Sequence, residues 1–400
     1  VATQSALNAY LSNYGHACSL PIDYDEGWQH VLIVPICGEQ SDCLQQLTAN
    51  VCSERFLLIA CVNHPKNHYN SELWYQENRA LVADLTDQAL SVKKTQKGYL
   101  LKFETFDVWL LDFNEQPFDA NQGVGLARKI AADSALQLID KQVVKSHWIH
   151  STDADVILPA DYFEVADDKI FAAYSLPFRH ISEDKELKHW QNLYDFKLRY
   201  YQQAMRYIGS VYNYIPLGSC LIIQAEDYAK VRGFPIRSGG EDFYLLNKLT
   251  KLRRIAQPDN PVIEIKSRMS QRVPFGTGPG LLKFKESKEP ARFYHPQIFV
   301  EIKTWLQQLS DYYESHQFPS HADINQFWNT KQVIQKALQQ TKSPERWQQF
   351  VLEWFDAFKI LKTVHALEGD YPRLDMSQLK GIDVFCEITL ELLLPDGVNI

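Results

Sequence analysis

The 400-residue chain predicts an α/β fold, a mostly parallel sheet flanked by helices and followed by a helical C-terminal region. Three observations carry that expectation. Short apolar runs alternate with helix-period segments through the first two-thirds of the chain, as βα units require. The best of these runs are continuous rather than alternating, which fits strands covered on both faces. From about residue 291 no strand of comparable quality appears, and long amphipathic segments take over.

The elements follow in order. VLIVPI (31–36) reads as the first strand, with a helix from about Ser41 to Glu54 behind it. FLLIACV (56–62) is the second strand, SELWYQENRALVADLTDQAL (71–90) a helix, and DVWLLDF (107–113) a third strand. GVGLARKIAADSALQLID (123–140) reads as a helix with Val124, Ala127, Ala131, Ala135 and Leu138 on one face. WIHSTDADV (148–156) is the next strand, followed by IFAAYSLP (170–177) and a long aromatic helix near 185–208. SCLIIQ (219–224) reads as a central strand, and AEDYAKVRGFP (225–235) as a helix stopped by Gly233 and Pro235. GGEDFYLLNKLTKL (239–252) is a further helix and NPVIEIKSR (260–268) a late strand. VPFGTGPG (273–280) is too rich in Gly and Pro for either element and reads as a loop. The amphipathic segments include QIFVEIKTWLQQLSDYYE and SPERWQQFVLEWFDAFKILKTVHALEG, with no internal repeat or heptad run. The expected organisation is an N-terminal extension (1–28), a sheet domain (29–290) and a helical region (291–400).

Composition places the chain among ordinary globular proteins, at 45% hydrophobic and 22% charged residues. A formal charge of −8 argues against a nucleic-acid surface, which needs clustered Lys and Arg. The seven cysteines, Cys18, Cys37, Cys43, Cys52, Cys61, Cys220 and Cys386, form no CxxC and no zinc spacing with histidine. Their odd number, and the apolar runs around Cys37, Cys61 and Cys220, fit mostly buried thiols in a reducing compartment. No apolar run approaches the ~20 residues of a transmembrane helix, and no signal-peptide pattern opens the chain. A cytoplasmic chain is therefore expected, with peripheral membrane contact left open for its aromatic C-terminal region.

In an open α/β sheet, ligands sit beyond the carboxyl ends of the strands. Asp153 and Asp155 would lie at such an end, and residues i and i+2 of an extended segment point the same way. Two adjacent carboxylates are costly unless a cation joins them, and hard ions such as Mg²⁺ or Mn²⁺ take oxygen ligands while keeping positions open for phosphate. The competing reading is a solvated strand end or an Asp cap. A second acidic pair opens the helix at 239–252, where the competing reading is two ordinary first-turn acids: from Asp242 the i+3, i+4 and i+7 positions are Leu245, Leu246 and Leu249, which makes Asp242 a better inward candidate than Glu241. The helix dipole favours its ionised form by about 0.3–1 kcal/mol. Arg268 and Arg272 stand beside Gly276, Gly278 and Gly280, a pattern that suits a lid over diphosphate; the alternative is a connection whose arginines meet surface acids. His150 lies in the strand before the acidic pair and should be packed, and the tyrosines and tryptophan of the aromatic helix serve either as an acceptor platform or as core.

STDADV resembles the D-x-D signature of nucleotide-sugar glycosyltransferases of the GT-A fold, in particular the family 2 group. Further similarities fall in that family's order: VLIVPICGEQ resembles its opening strand, GVGLARKIAADSAL the helix before the D-x-D strand, and GSCLIIQAEDYAKVRGFP followed by GGEDFYLL the acceptor-side strand, helix and E-D motif. Together they span roughly residues 29–280. The resemblance implies a GT-A fold in which Pro35, Glu39 and Asn63 border the nucleotide, Asn63 standing where the family commonly carries an Asp that reads the base. It implies that Arg128 lies near the nucleotide-sugar, that Asp153 and Asp155 hold Mn²⁺ or Mg²⁺, and that Asp242, beside Glu241, is the base of an inverting transfer. His295 or His180 would be a third metal ligand, against the plainer expectation of a solvated or hydrogen-bonded histidine. The partners implied are a nucleotide-diphosphate sugar donor and a saccharide, lipid-linked or small-molecule acceptor.

Three other functions remain open. A sugar-phosphate nucleotidyltransferase also needs metal-binding acids, but ICGEQSDC lacks the Gly-rich basic segment expected after its first strand. A dehydrogenase fits less well, because GVGLAR offers Gly123 and Gly125 but Arg128 in place of the third glycine. A non-catalytic nucleotide- or glycan-binding module could keep the same fold.

Overall fold

Every residue from Phe56 to Val62 is buried, and the strand they form lies between two parallel neighbours at the middle of a wide sheet. A computed structural model describes residues 2–20, 27–52, 55–165, 169–270, 272, 276–287 and 290–389. In chain order the elements are α1 (Ala2–Tyr14), β1 (His30–Ile36), α2 (Cys43–Thr48), β2 (Phe56–Val62), α3 (Ser71–Gln88), β3 (Ser91–Thr95), β4 (Gly98–Lys102), β5 (Phe106–Asp112), α4 (Gly123–Asp140), β6 (Trp148–Ser151), β7 (Val156–Ile157), β8 (Ala173–Ser175), β9 (Phe178–Ile181), α5 (Lys185–Tyr207), β10 (Leu221–Gln224), α6 (Ala225–Lys230), α7 (Glu241–Leu249), β11 (Ile255–Ala256), β12 (Ile263–Lys266) and α8 (Thr277–Glu286). They continue with α9 (Pro296–Ser315), α10 (Ala322–Trp328), α11 (Thr330–Gln340), α12 (Pro344–Trp354), α13 (Ala357–Leu367), α14 (Met376–Lys380) and α15 (Asp383–Thr389).

The chain divides into two compact units that are not contiguous in sequence: Val1–Leu187 with Pro216–Leu282, and Lys188–Ile215 with Lys283–Ile400. The first holds a nine-stranded sheet in the order β11-β8-β10-β6-β1-β2-β5-β4-β3 and a small sheet β7-β12-β9. β6, β1, β2 and β5 run parallel, β10 is antiparallel to β6 and β8, and β4 and β3 close one side as an antiparallel meander. The expected α/β class, mostly parallel sheet and helical C-terminal region are all present. β1 has β2 on one side and β6 on the other, so its carboxyl end is a topological switch point, where adjacent loops diverge and leave a crevice.

α4 lies on β1, β2 and β6, and its alanines, among them Ala127, Ala131, Ala132 and Ala135, let the helix approach closely enough to be buried on most of its faces. Asp133 and Lys129 on this helix are buried with partners. Asp133, fully buried, accepts from the Tyr10 hydroxyl at 2.6 Å, the Tyr228 hydroxyl at 2.8 Å and the His16 backbone N–H at 2.7 Å, and Lys129 Nζ lies 3.2 Å from it. This knot fastens α1 to α4 and α6, so the described part of the segment set apart as an extension packs within the first unit.

The second unit is built around rings. On α5, Phe196 meets Phe293 edge-on at 5.1 Å, and Tyr200 packs against Phe299 and Phe385 at 5.9 and 5.5 Å. Trp305 and Trp347 are fully buried, their indole N–H groups bonded to Asn325 Oδ1 and the Leu309 carbonyl, each at 2.9 Å. These α5 rings are core. Among the described residues no helix is long and apolar enough to cross a membrane.

Several local expectations are corrected. The helix expected over 41–54 is only α2, and β3 and β4 form a hairpin absent from the sequence reading, because its two-residue loop, Gln96 and Lys97, carries no Asn-Gly or Asp-Gly signal and the one glycine with positive φ, Gly98, follows it. Residues 273–275 of the expected loop lie outside the described residues, but Thr277–Gly280 open α8: Pro279 is third in that helix, where a missing N–H costs nothing. The long segment 343–369 breaks at Phe355, with Ser343 capping α12 and Asp356 capping α13. Most consequentially, β6 ends at Ser151, and residues 152–155 turn the chain into β7, a strand of the small sheet.

Candidate active site

The acidic motif sits in that turn. Ser151 Oγ donates to the Gly218 carbonyl at 3.0 Å and Thr152 Oγ1 to the Ser219 carbonyl at 2.9 Å, which secures the end of β6 to the segment leading into β10. The strand ends before Asp153 and the chain turns at 154–155, and Asp153 and Asp155 are held by different arginines. Arg128 from α4 donates through Nη2 to Asp153 Oδ1 and through Nη1 to Glu241 Oε1 at 2.6 Å. Arg268, after β12, donates through Nε to Asp155 Oδ2 at 2.8 Å and, as a fork, to both oxygens of Glu39 at 2.7 and 2.8 Å. Arg272 also contacts Glu39 and donates to the Gly38 carbonyl. Each aspartate of the motif therefore shares an arginine with a second acid from a distant element.

Glu39 lies just past β1, and Asn63 just past β2. Asn63 is buried and turned inward, its Nδ2 donating to the Ile36 carbonyl at 3.3 Å. Asn78 ties the two strand ends together: it accepts from the Gly38 N–H at 2.8 Å and donates to the Asn63 carbonyl and to Asn114 Oδ1, both at 3.0 Å. Sequence reasoning missed Asn78, although a polar residue on the buried stripe of Trp74, Leu81 and Leu85 was the available signal. Pro35 sits within β1 opposite Cys61, partly exposed.

The start of α7 reverses the expected order of its acids. Glu241, only 2% exposed, is the inward residue, because the buried Arg128 beneath it requires a counter-charge; Asp242 is partly exposed. Asp242 is nevertheless fixed, accepting the Gly218 N–H at 2.9 Å on Oδ2 and the Phe243 N–H at 2.7 Å on Oδ1. Gly218 was also missed, and its role is steric: a Cβ there would collide with the Arg128 guanidinium.

Charge in this crevice is unbalanced. Glu39, Asp153, Asp155, Glu241 and Asp242 face Arg128, Arg268 and Arg272. Burial pushes the Asp155 carboxyl up to about 6, with Asp153 and Glu39 adding to the rise against the pull of Arg268. Burial likewise raises Glu241, to about 7, and Asp242, since these acids and Asp153 surround the single Arg128 charge. Among the described residues no three His, Cys, Asp or Glu side chains gather in a metal-ligating group. The donor chemistry still suits a hard cation: two carboxylates on one short turn, an excess of negative charge and oxygen donors alone.

The histidines take other roles. His150, 3% exposed, packs among His30, Tyr162 and Phe163, and burial drives its imidazole well below the usual value, in keeping with the packed role expected. His295 belongs to the second unit, where its Nδ1 accepts the Gln297 N–H at 3.0 Å as the N-cap of α9. His180 lies on β9 with its ring 5.3 Å from that of Phe178.

No family model matches the chain, and no curated protein matches it by sequence. Solved structures do. A mannosyltransferase, PcManGT from Pyrobaculum calidifontis, in complex with GDP-Man and Mn²⁺, is similar over 91% of this chain and 92% of its own, at 13% identity and a TM-score of 0.34. GalNAc-T7 with UDP, GalNAc and Mn²⁺ is similar over 93% of this chain and 66% of its own, at 10% identity and a TM-score of 0.34. Both likenesses are remote.

Proposed function

We propose that the chain is a divalent-metal-dependent glycosyltransferase of the GT-A type, moving a sugar from a nucleotide diphosphate to an acceptor hydroxyl with inversion. The observation that carries this is the convergence, at one switch point, of the Asp153–Asp155 turn, two arginines shared with Glu39 and Glu241, and a partly exposed Asp242. Asp153 and Asp155 would hold Mn²⁺ or Mg²⁺, which when bound neutralises charge on a departing diphosphate. Arg268 and Arg272 retain exposure and offer forked donors to phosphate oxygens. Glu39, Pro35 and Asn63 would line the nucleotide side of the crevice.

Asp242 would take the acceptor proton. Its two backbone hydrogen bonds fix the carboxylate while leaving lone pairs on both oxygens, and burial makes it a stronger base than an ordinary carboxylate. Glu241 is committed to Arg128 and supports the site without reaching substrate.

The test is nucleotide release and sugar transfer from a panel of nucleotide-sugars, with Mn²⁺ and with chelator, on the unaltered chain and on Asp155→Ala. Mn²⁺-dependent turnover lost in Asp155→Ala is expected. Undiminished turnover in that variant removes the metal role, and tight nucleotide binding with no turnover across donors and acceptors favours a non-catalytic module.

A further inference from the structure

Arg128 differs from the other two arginines of the crevice. It is 3% exposed, against 34% for the side chain of Arg268 and 23% for that of Arg272, and its Nε is buried without a hydrogen-bond partner. Nη2 holds Asp153, Nη1 holds Glu241, and the backbone of Gly218 closes over the guanidinium with no room for a Cβ. Gly218 in turn gives its N–H to Asp242. One guanidinium thus joins the acidic turn after β6, the segment before β10 and the first turn of α7. A group so enclosed acts on ligands through the acids it holds.

Resting on the transferase reading above, we infer that Arg128 is a positioning residue that competes with the divalent cation for Asp153. Its charge stands beside Asp153 from inside the protein, where the cation would come from solvent. When Asp153 turns to a cation, the guanidinium keeps Glu241 and is shared more fully with α7. The hold of Arg128 on Asp153 and cation binding therefore oppose each other, while its hold on Glu241 keeps Asp242 aimed at the crevice. Lysine is a poor substitute, because a single ammonium does not span two acids as a planar fork does.

The experiment compares the full-length chain with Arg128→Met and Arg128→Lys. Mn²⁺ affinity is read from the paramagnetic resonance of the free ion, and thermal unfolding is followed in chelator and in saturating Mn²⁺. Loss of a unit positive charge next to Asp153 is expected to tighten Mn²⁺ binding in Arg128→Met on the order of tenfold. The same variant should unfold at a lower temperature in chelator, recover more on adding Mn²⁺ than the unaltered chain does, and transfer sugar with a lower kcat. Arg128→Lys should fall between the two in Mn²⁺ affinity. Should Arg128→Met fail to fold, Arg128→Met with Glu241→Gln, which removes the stranded acid, is compared with Glu241→Gln alone. Equal or weaker Mn²⁺ binding in a folded Met variant overturns the inference and leaves the transferase reading standing. Absence of Mn²⁺ binding by the unaltered chain overturns both.

Discussion

Arg128 and Arg268 solve the same electrostatic problem on the two sides of one turn, each giving a motif aspartate part of a charge it shares with another acid. Burial with only a shared counter-charge leaves Asp155 and Glu241 holding their protons more tightly than ordinary carboxyls, with a consequence for pH. Glu241 rises from 4.5 to about 7 in the folded chain, so folding favours its protonated form. The stability this lends is complete below pH 4.5 and is lost as pH rises through about 7. Asp155, rising from 3.8 to about 6, acts in the same sense. Metal-free protein should therefore lose stability between about pH 4.5 and 7, and Glu241→Gln should flatten that slope in urea titrations at several pH values. For Asp242, replacement by Asn should lower kcat by about 10²–10⁴ while leaving Mn²⁺ affinity within a few-fold, as befits a base that does not ligate. The acid limb of the unaltered chain's rate profile should lie above the ordinary carboxylate range, since burial raises Asp242.

At the scale of elements, α4 is the part on which the crevice depends. It carries Arg128 at its inner surface and, beginning at the next residue, the Lys129–Asp133 pair that fastens α1. Asp133→Ala leaves Lys129 buried without its carboxylate and should cost about 3–5 kcal/mol in denaturant unfolding, with α1 becoming protease-sensitive first. The strands that place the site were legible: a strand between parallel neighbours is covered on both faces, so FLLIACV and VLIVPI announce themselves as unbroken apolar runs. Strands whose placement depends on partners were not. β6 stops at Ser151 because the chain leaves for the small sheet, a choice made by β12 more than a hundred residues downstream and invisible in WIHSTDADV itself. Likewise the acids, arginines and the D-x-D were each visible as residues, whereas the pairings of Arg128 with Glu241 and of Arg268 with Glu39 join segments far apart in sequence. Helix periodicity favoured Asp242 as the inward acid, and the buried guanidinium of α4 reversed that.

The whole molecule departs most from its linear order at α5, which leaves the first unit after β9 and shares a core with the C-terminal helices before the chain returns to β10. A chain cut near residue 290 would strip Phe196 and Tyr200 of Phe293, Phe299 and Phe385, exposing rings worth roughly 1.5–3 kcal/mol each. Such a chain should aggregate on expression; a soluble, cooperatively unfolding product would show that α5 does not need its aromatic partners. The central claim, however, concerns the crevice at the end of β1 and β6. Its most direct test is a crystal of the unaltered chain grown with Mn²⁺ and a nucleoside diphosphate, with anomalous data collected at the manganese edge. The expected result is one manganese peak coordinated by Asp153, Asp155 and diphosphate oxygens, with Asp153 drawn away from Arg128. Nucleotide bound in the crevice while Asp153 stays on Arg128, Asp155 stays on Arg268 and no manganese lies between them would contradict it.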